Sequence, residues 1–304
     1  METYFAPLKE TARRPLLAKI DAALPRDARW FQIGGQATIL AVGFLARDFN
    51  VTAAQIAAAL TTAMLVQWLG SKLHAGRFDW KSPLISTLSL ALLLRSNDIW
   101  PFALAAAIAI GSKFAVRRDN VHIFNPANIG IVAALLLSND VWTSVGQWGT
   151  APWFALFIAA LGALVCWRAS RLDVPVLFLG VYAGLVLARA LYLGDPLGIP
   201  ALRLSSAELF LFAFFMISDP KTTPDDGRWR AVFIFASATL AYVMQFHFFI
   251  EDGLFFAPAI LAAVRALTGL GFSGERYEWG RPPAIWRIRW PLKQPTKPQI
   301  APAE

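Results

Sequence analysis

Four polar or proline-containing knots interrupt the apolar stretches of this chain: Ser96-Asn97-Asp98, Phe124-Asn125-Pro126-Ala127, Ser218-Asp219-Pro220-Lys221 and Phe256-Ala257-Pro258-Ala259. The apolar runs that they end or begin, near 82–94, 124–137, 204–217 and 254–264, fall short of the ~20 residues a helix needs to cross a bilayer core. Short, interrupted segments at matching places in two halves of a membrane protein point to a site within the membrane. A helix starting there aims unpaired backbone N–H groups at a negatively charged ligand. Asn125-Pro126 also reads as an ordinary helix start, because proline is tolerated in the first turn. The Ser218 to Pro224 segment likewise reads either as a simple turn or as a place where Asp219 and Lys221 act near the membrane boundary.

Composition decides which class of protein must hold these knots. The chain is 57% hydrophobic and 16% charged, with a mean hydropathy of +0.50; soluble proteins carry about 25% charged residues. An all-α polytopic membrane protein is expected. About ten transmembrane helices fit the sequence, near 30–46, 52–70, 82–95, 99–116, 124–138, 150–167, 172–192, 204–218, 229–247 and 252–271. The segment 1–29 lacks the apolar core of a signal peptide and is expected to be a cytoplasmic N-terminal segment. The single cysteine, Cys166, lies inside an apolar span and reads as a small core residue.

Basic residues test the span count. Of the 28 Lys and Arg, all but Arg47, Arg95, Arg189 and Arg203 fall in the two terminal segments and in alternate loops. The positive-inside rule then places both termini in the cytoplasm of a bacterial inner membrane protein. The +8 charge is thus spread over loops and tails, which argues against nucleic acid as a partner.

The two halves share a pattern. Ser96-Asn97-Asp98 falls where Ser218-Asp219-Pro220 falls, and the Asn125-Pro126 knot falls where Ala257-Pro258 falls. Five spans are an odd number, so the halves run in opposite senses. The expected fold is two inverted five-helix repeats, about 30–138 and 150–271, containing short interrupted helices. The segment 272–304 is basic and rich in proline, so it reads as a cytoplasmic tail that could lie on an anionic lipid surface.

The residues Ser82-Pro83-Leu84 through Trp100-Pro101, His122-Ile123-Phe124-Asn125-Pro126-Ala127 and Phe215-Met216-Ile217-Ser218-Asp219-Pro220-Lys221-Thr222-Thr223-Pro224 resemble motifs of the NqrB/RnfD family. That family comprises membrane subunits of the sodium-pumping NADH:quinone oxidoreductase and of Rnf electron-transport complexes. Gly146-Gln147-Trp148-Gly149-Thr150 also resembles the family's Gly-rich turn. The likeness covers residues 30–271 and implies a membrane subunit of a flavin-dependent electron-transport system. It implies passage of electrons across or along the membrane, with ion movement as a coupled process. Other subunits of such a complex, the lipid bilayer and a quinone are the implied partners.

Family members carry a flavin on the threonine of a Ser-Gly-Ala-Thr-like motif, and no such motif occurs here. The loop 138–150 offers only Thr143 and Thr150. The resemblance therefore implies a flavin, FMN or riboflavin, held without a covalent bond. Asn125, Pro126, Asn128, Ser218, Asp219, Lys221, Thr222 and Thr223 are its expected cofactor-binding residues, with no catalytic or metal-binding residues assigned.

Other readings have less behind them. The three histidines, His74, His122 and His247, do not offer the facing helical pair that a membrane haem needs. Gly269-Leu270-Gly271-Phe272-Ser273-Gly274 matches a dinucleotide fingerprint in letters, but it follows an apolar helix instead of a strand. Glu208 is a carboxylate a few residues into span eight, and faces either the protein interior or the span end. The alternative function is an inverted-repeat transporter of a small solute or ion without redox activity.

Overall fold

The computed structural model describes residues 24–46, 49–74, 76–119, 121–144, 148–271 and 277–279. Most of the expected N-terminal segment and proline-rich tail lie outside the described residues, as do Gly146, Gln147 and the second half of the glycine fingerprint. The helices are α1 Arg29–Ala46, α2 Ala53–Leu73, α3 Lys81–Leu93, α4 Trp100–Ala115, α5 Pro126–Leu137, α6 Pro152–Arg168, α7 Asp173–Leu193, α8 Gly198–Leu204, α9 Ala207–Phe215, α10 Gly227–Phe246 and α11 Gly253–Thr268. Four short strands, β1 Leu94–Ser96, β2 Arg117–Arg118, β3 Val121–His122 and β4 Val141–Thr143, pair antiparallel as β1 with β4 and β2 with β3.

Local chemistry fixes the helix ends. Thr52 and Gln55 form a reciprocal capping box at the start of α2, and the Asp226 carboxylate accepts from the Arg228 and Trp229 N–H groups at the start of α10. Gly194 and Gly269 end α7 and α11 in the left-handed conformation, which costs glycine nothing. Among the described residues three helices are long and apolar enough to cross a membrane, α2, α7 and α10. The pair α8 and α9, bent by 42°, makes a fourth if taken as one span. Span eight, expected near 204–218, is the nine-residue α9, and the short α8 precedes it across the bend at Ser205 and Ser206. The 13 residues of α3 and 12 of α5 extend only about 20 Å at ~1.5 Å per residue.

The packing order repeats. In the first half α1 packs on α3, α2 on α3 and α4, and α4 on α5. In the second half α6 packs on α9, α7 on α9 and α10, and α10 on α11. Between halves, α1 meets α6 and α5 meets α11. Close approach needs glycine at several of these seams, two of them against backbone or Cβ at 2.5 Å or less. A Cβ at Gly162 of α6 would sit 2.3 Å from the Phe214 Cβ of α9, and one at Gly130 of α5 would sit 2.5 Å from the Ala105 carbonyl of α4.

The two proline knots are not equivalent in detail. Pro126 is the first residue of α5, whereas Pro258 lies inside α11. Pro258 has no N–H for the Leu254 carbonyl one turn back. The neighbouring Phe255 carbonyl accepts from Asn128 Nδ2 at 3.0 Å, which ties α11 to α5.

Candidate functional site

A pocket of about 260 Å³ opens where the starts of α1, α3 and α5 meet the turn after α9. Ser82, Ser86 and Ser89 line one wall. Their spacing of four and three residues puts them on one face of α3. That wall reaches about 10 Å along the helix at ~1.5 Å per residue. At its depth Gln36 of α1, fully buried, donates from Nε2 to Ser89 Oγ at 2.7 Å.

The two segments that the resemblance singled out meet here. Asn125 Nδ2 donates to the Met216 carbonyl at 3.1 Å and to Asp219 Oδ2 at 3.2 Å. Its Oδ1 accepts from the Asn128 N–H at 3.0 Å, so the same side chain caps α5 and joins the halves. The helix-start reading of Asn125-Pro126 is thus the one this geometry shows. Asp219 Oδ1 accepts from the Lys221 N–H at 3.0 Å. Burial raises the Asp219 carboxyl above the ordinary aspartate range against the opposing pull of Lys221, Lys113 and Asn125.

The expected residues divide into two groups. Asn125, Pro126, Asp219 and Lys221 line the pocket. The other four face inward on the protein. Asn128 is tied to α11. Ser218 Oγ donates to the Phe214 carbonyl at 2.6 Å, and the Thr222 and Thr223 hydroxyls donate to the Asp219 carbonyl at 3.3 and 3.0 Å. Their hydroxyl protons hold the turn together.

Sequence reasoning missed most of the pocket's charge. Arg29 lines it with Asp79, and Nη1 of Arg29 reaches Asp79 Oδ2 at 2.6 Å while Asp27 Oδ2 lies 2.9 Å from Nη2. Trp279 closes one side, with the Arg29 guanidinium 5.0 Å from its ring centre. Lys113 Nζ donates to Gln67 Oε1 at 2.9 Å and Ser82 Oγ at 2.7 Å, and Lys221 Nζ donates to the Tyr277 carbonyl at 2.6 Å. Neither ammonium has a carboxylate within ion-pair distance among the described residues. His122 is pushed down to about 3 by burial and by the cations Lys113, Lys221 and Arg117, so it lines the pocket as a neutral imidazole. The serine stripe on α3 was the one signal in the sequence that could have found this wall.

The arrangement suits an anionic group. Two ammonium ions face one carboxylate, with Arg29 already matched by Asp27 and Asp79. The N-terminus of α5 adds positive potential, and its Ala127 lines the pocket. Ordinary ligand pockets run about 300–1,000 Å³, so this one, at about 260 Å³, has room for a compact anionic group.

No family model matches the chain. Over 115 residues it is 32% identical to a protein from Citrobacter koseri that is named as the D-type subunit of an ion-translocating oxidoreductase complex. The match covers 37% of this chain and 33% of that protein, so the chain spans about a third of the length of this curated relative.

Proposed function

We propose that the chain is a membrane subunit of an electron-transport complex, holding a flavin non-covalently in the pocket beside Asn125 and Asp219. The observation that carries this reading is the meeting of two motifs 94 residues apart, joined by the Asn125 to Asp219 hydrogen bond, in a pocket lined by Lys113 and Lys221. The local similarity to an oxidoreductase complex subunit supports the redox class over a passive transporter. It also supports partnership with other subunits, and a quinone is the proposed acceptor class.

The proposal includes ten spans in two inverted repeats, with both termini cytoplasmic. The repeated packing order supports it: α1, α2, α3, α4 and α5 have α6, α7, α9, α10 and α11 as counterparts. Like pairs with like across the halves, α1 with α6 and α5 with α11, as a two-fold axis requires. Contacts also gather the basic-rich loops at one end, as in Arg171 with Asp225 and Arg230 with Asp173.

A bound flavin supplies storage for one or two electrons. The chain's own residues hold and shield it. Lys113 and Lys221 offset negative charge, Asn125 and the start of α5 orient its polar edge, and Trp279 covers it from water. Denaturing the purified protein in acid is expected to release free fluorescent flavin. A preparation that stays colourless after flavin is added would remove the redox reading. Asn125→Ala and Lys221→Ala each delete a polar contact worth about 1.5–3 kcal/mol, so each should weaken flavin binding by roughly tenfold or more while the protein stays monodisperse. Wild-type flavin content in both variants would move the cofactor elsewhere.

A further inference from the structure

At the end remote from the pocket a second polar group is buried without adequate partners. Glu208 stands in the first turn of α9 and is only 3% exposed. Its Oε1 has no hydrogen-bond partner among the described residues. The charged groups facing it are Asp252 from the start of α11, Arg203 from α8 and Arg95 from β1. Thr143 of β4 supplies the neighbouring hydroxyl. That hydroxyl donates to Asp252 Oδ1 at 2.7 Å, so its single proton is committed to the other carboxylate. The Arg95 guanidinium is likewise engaged with the carbonyls of Ala91, Leu92 and Leu94. An ionised carboxylate left with an orphan oxygen in such a place is costly. Adding a proton removes the charge and turns the group into a donor toward Thr143.

We propose that Glu208 is a proton-binding site, loaded from the basic-poor face through Asp252 and Thr143. Asp252 is half-exposed at that face and caps no helix N–H with its side chain. In the transfer, protonated Asp252 gives its proton to the Thr143 oxygen as the Thr143 hydroxyl proton passes to Glu208. Asp252 ends as the carboxylate, Glu208 as the neutral acid, and Thr143 is unchanged. No electron moves, and the site stands independently of any cofactor at the opposite end.

The test uses the full chain in lipid nanodiscs and two readouts. Infrared spectra are expected to show a protonated-carboxyl C=O band that disappears reversibly as pH rises and is missing in Glu208→Gln. Dicyclohexylcarbodiimide, which reacts with protonated carboxyls in apolar surroundings, is expected to modify Glu208 at a rate that falls in proportion to that band. Thr143→Val should slow hydrogen–deuterium exchange of the band while leaving the band in place; an exchange rate equal to wild type would remove the relay. Should Glu208→Gln fail to fold, Glu208→Asp is expected to keep a titrating band at a shifted frequency. A wild-type protein with no such band, a band unmoved by pH, or no carbodiimide adduct at Glu208 overturns the site.

Discussion

The chain breaks out of helix at two comparable places, after α3 and after α9, and finishes the two ends differently. After α3, the Arg95 side chain folds back onto the carbonyls of Ala91, Leu92 and Leu94 and lies 3.9 Å from the Phe49 ring centre, with no exposed surface. Gln55 Nε2 covers the Ser96 and Asp98 carbonyls, and pairing of β1 with β4 seals the rest. After α9, small hydroxyls and the Asn125 amide take the carbonyls, and the Asp219 carboxylate is left beside an open pocket. A long cation makes a plug; short neutral donors leave room for a ligand. The same requirement, that helix-end carbonyls find donors, has been met once by a sealed plug and once beside an open pocket.

The largest effect is expected at the Arg95 plug. Arg95→Met strips charged donors from three buried carbonyls, and each hydrogen bond to a charged group is worth about 1.5–3 kcal/mol. The thermal midpoint in detergent is expected to fall sharply, or the protein to lose its monodisperse form. A midpoint equal to wild type would mean that the carbonyls find water. Next in size is the seam that carries α9. Gly162→Ala forces a Cβ against Phe214, and overpacking of this kind costs about 1–3 kcal/mol, again read as a lower thermal midpoint.

Smaller effects are expected on the site side. Thr223→Val removes one hydroxyl donor to the Asp219 carbonyl, worth about 0.5–1.5 kcal/mol, and should lower the thermal midpoint modestly. The smallest is a pH effect at the pocket rim. Burial alone would raise the Asp27 carboxyl, but hydrogen bonds from Arg29 and Lys81 outweigh it and hold the carboxyl below its usual range. A carboxyl lowered in the folded state adds stability above its unfolded value, and that stability is lost as pH falls through the folded value. Stability should therefore decline below about pH 4. Asp27→Asn should flatten the decline, and an unchanged slope in thermal midpoint against pH would show that Asp27 contributes none of it.

Apolar length and proline made the helices and their interruptions legible in the sequence. The starts of α5 and α10 follow from Asn125-Pro126 and Asp226, whose chemistry is local. The strand pairing of 94–96 with 141–143 was not legible, because it joins two polar loops separated by two helices and has no alternating pattern of its own. Arg95 read as one of four exceptions to a charge rule, and its role depends on carbonyls that only the folded helix exposes. The pocket was half legible. Asn125 and Asp219 announce themselves as polar residues in apolar surroundings. Arg29, Asp79 and Trp279 come from segments that look like ordinary loops, and only packing brings them together.

The bond from Asn125 to the turn after α9 has a consequence for biogenesis. Nothing in the first half of the chain can finish the pocket, since its carboxylate wall arrives 94 residues after its amide and Trp279 arrives later still. During synthesis the start of α5 must wait with its polar side chain unpaired with Asp219 while α6 to α9 are made. A ligand that needs both walls of the pocket can therefore bind only after the turn following α9 has been made. Making the amide wall of the pocket and completing its carboxylate wall are then separate events in time.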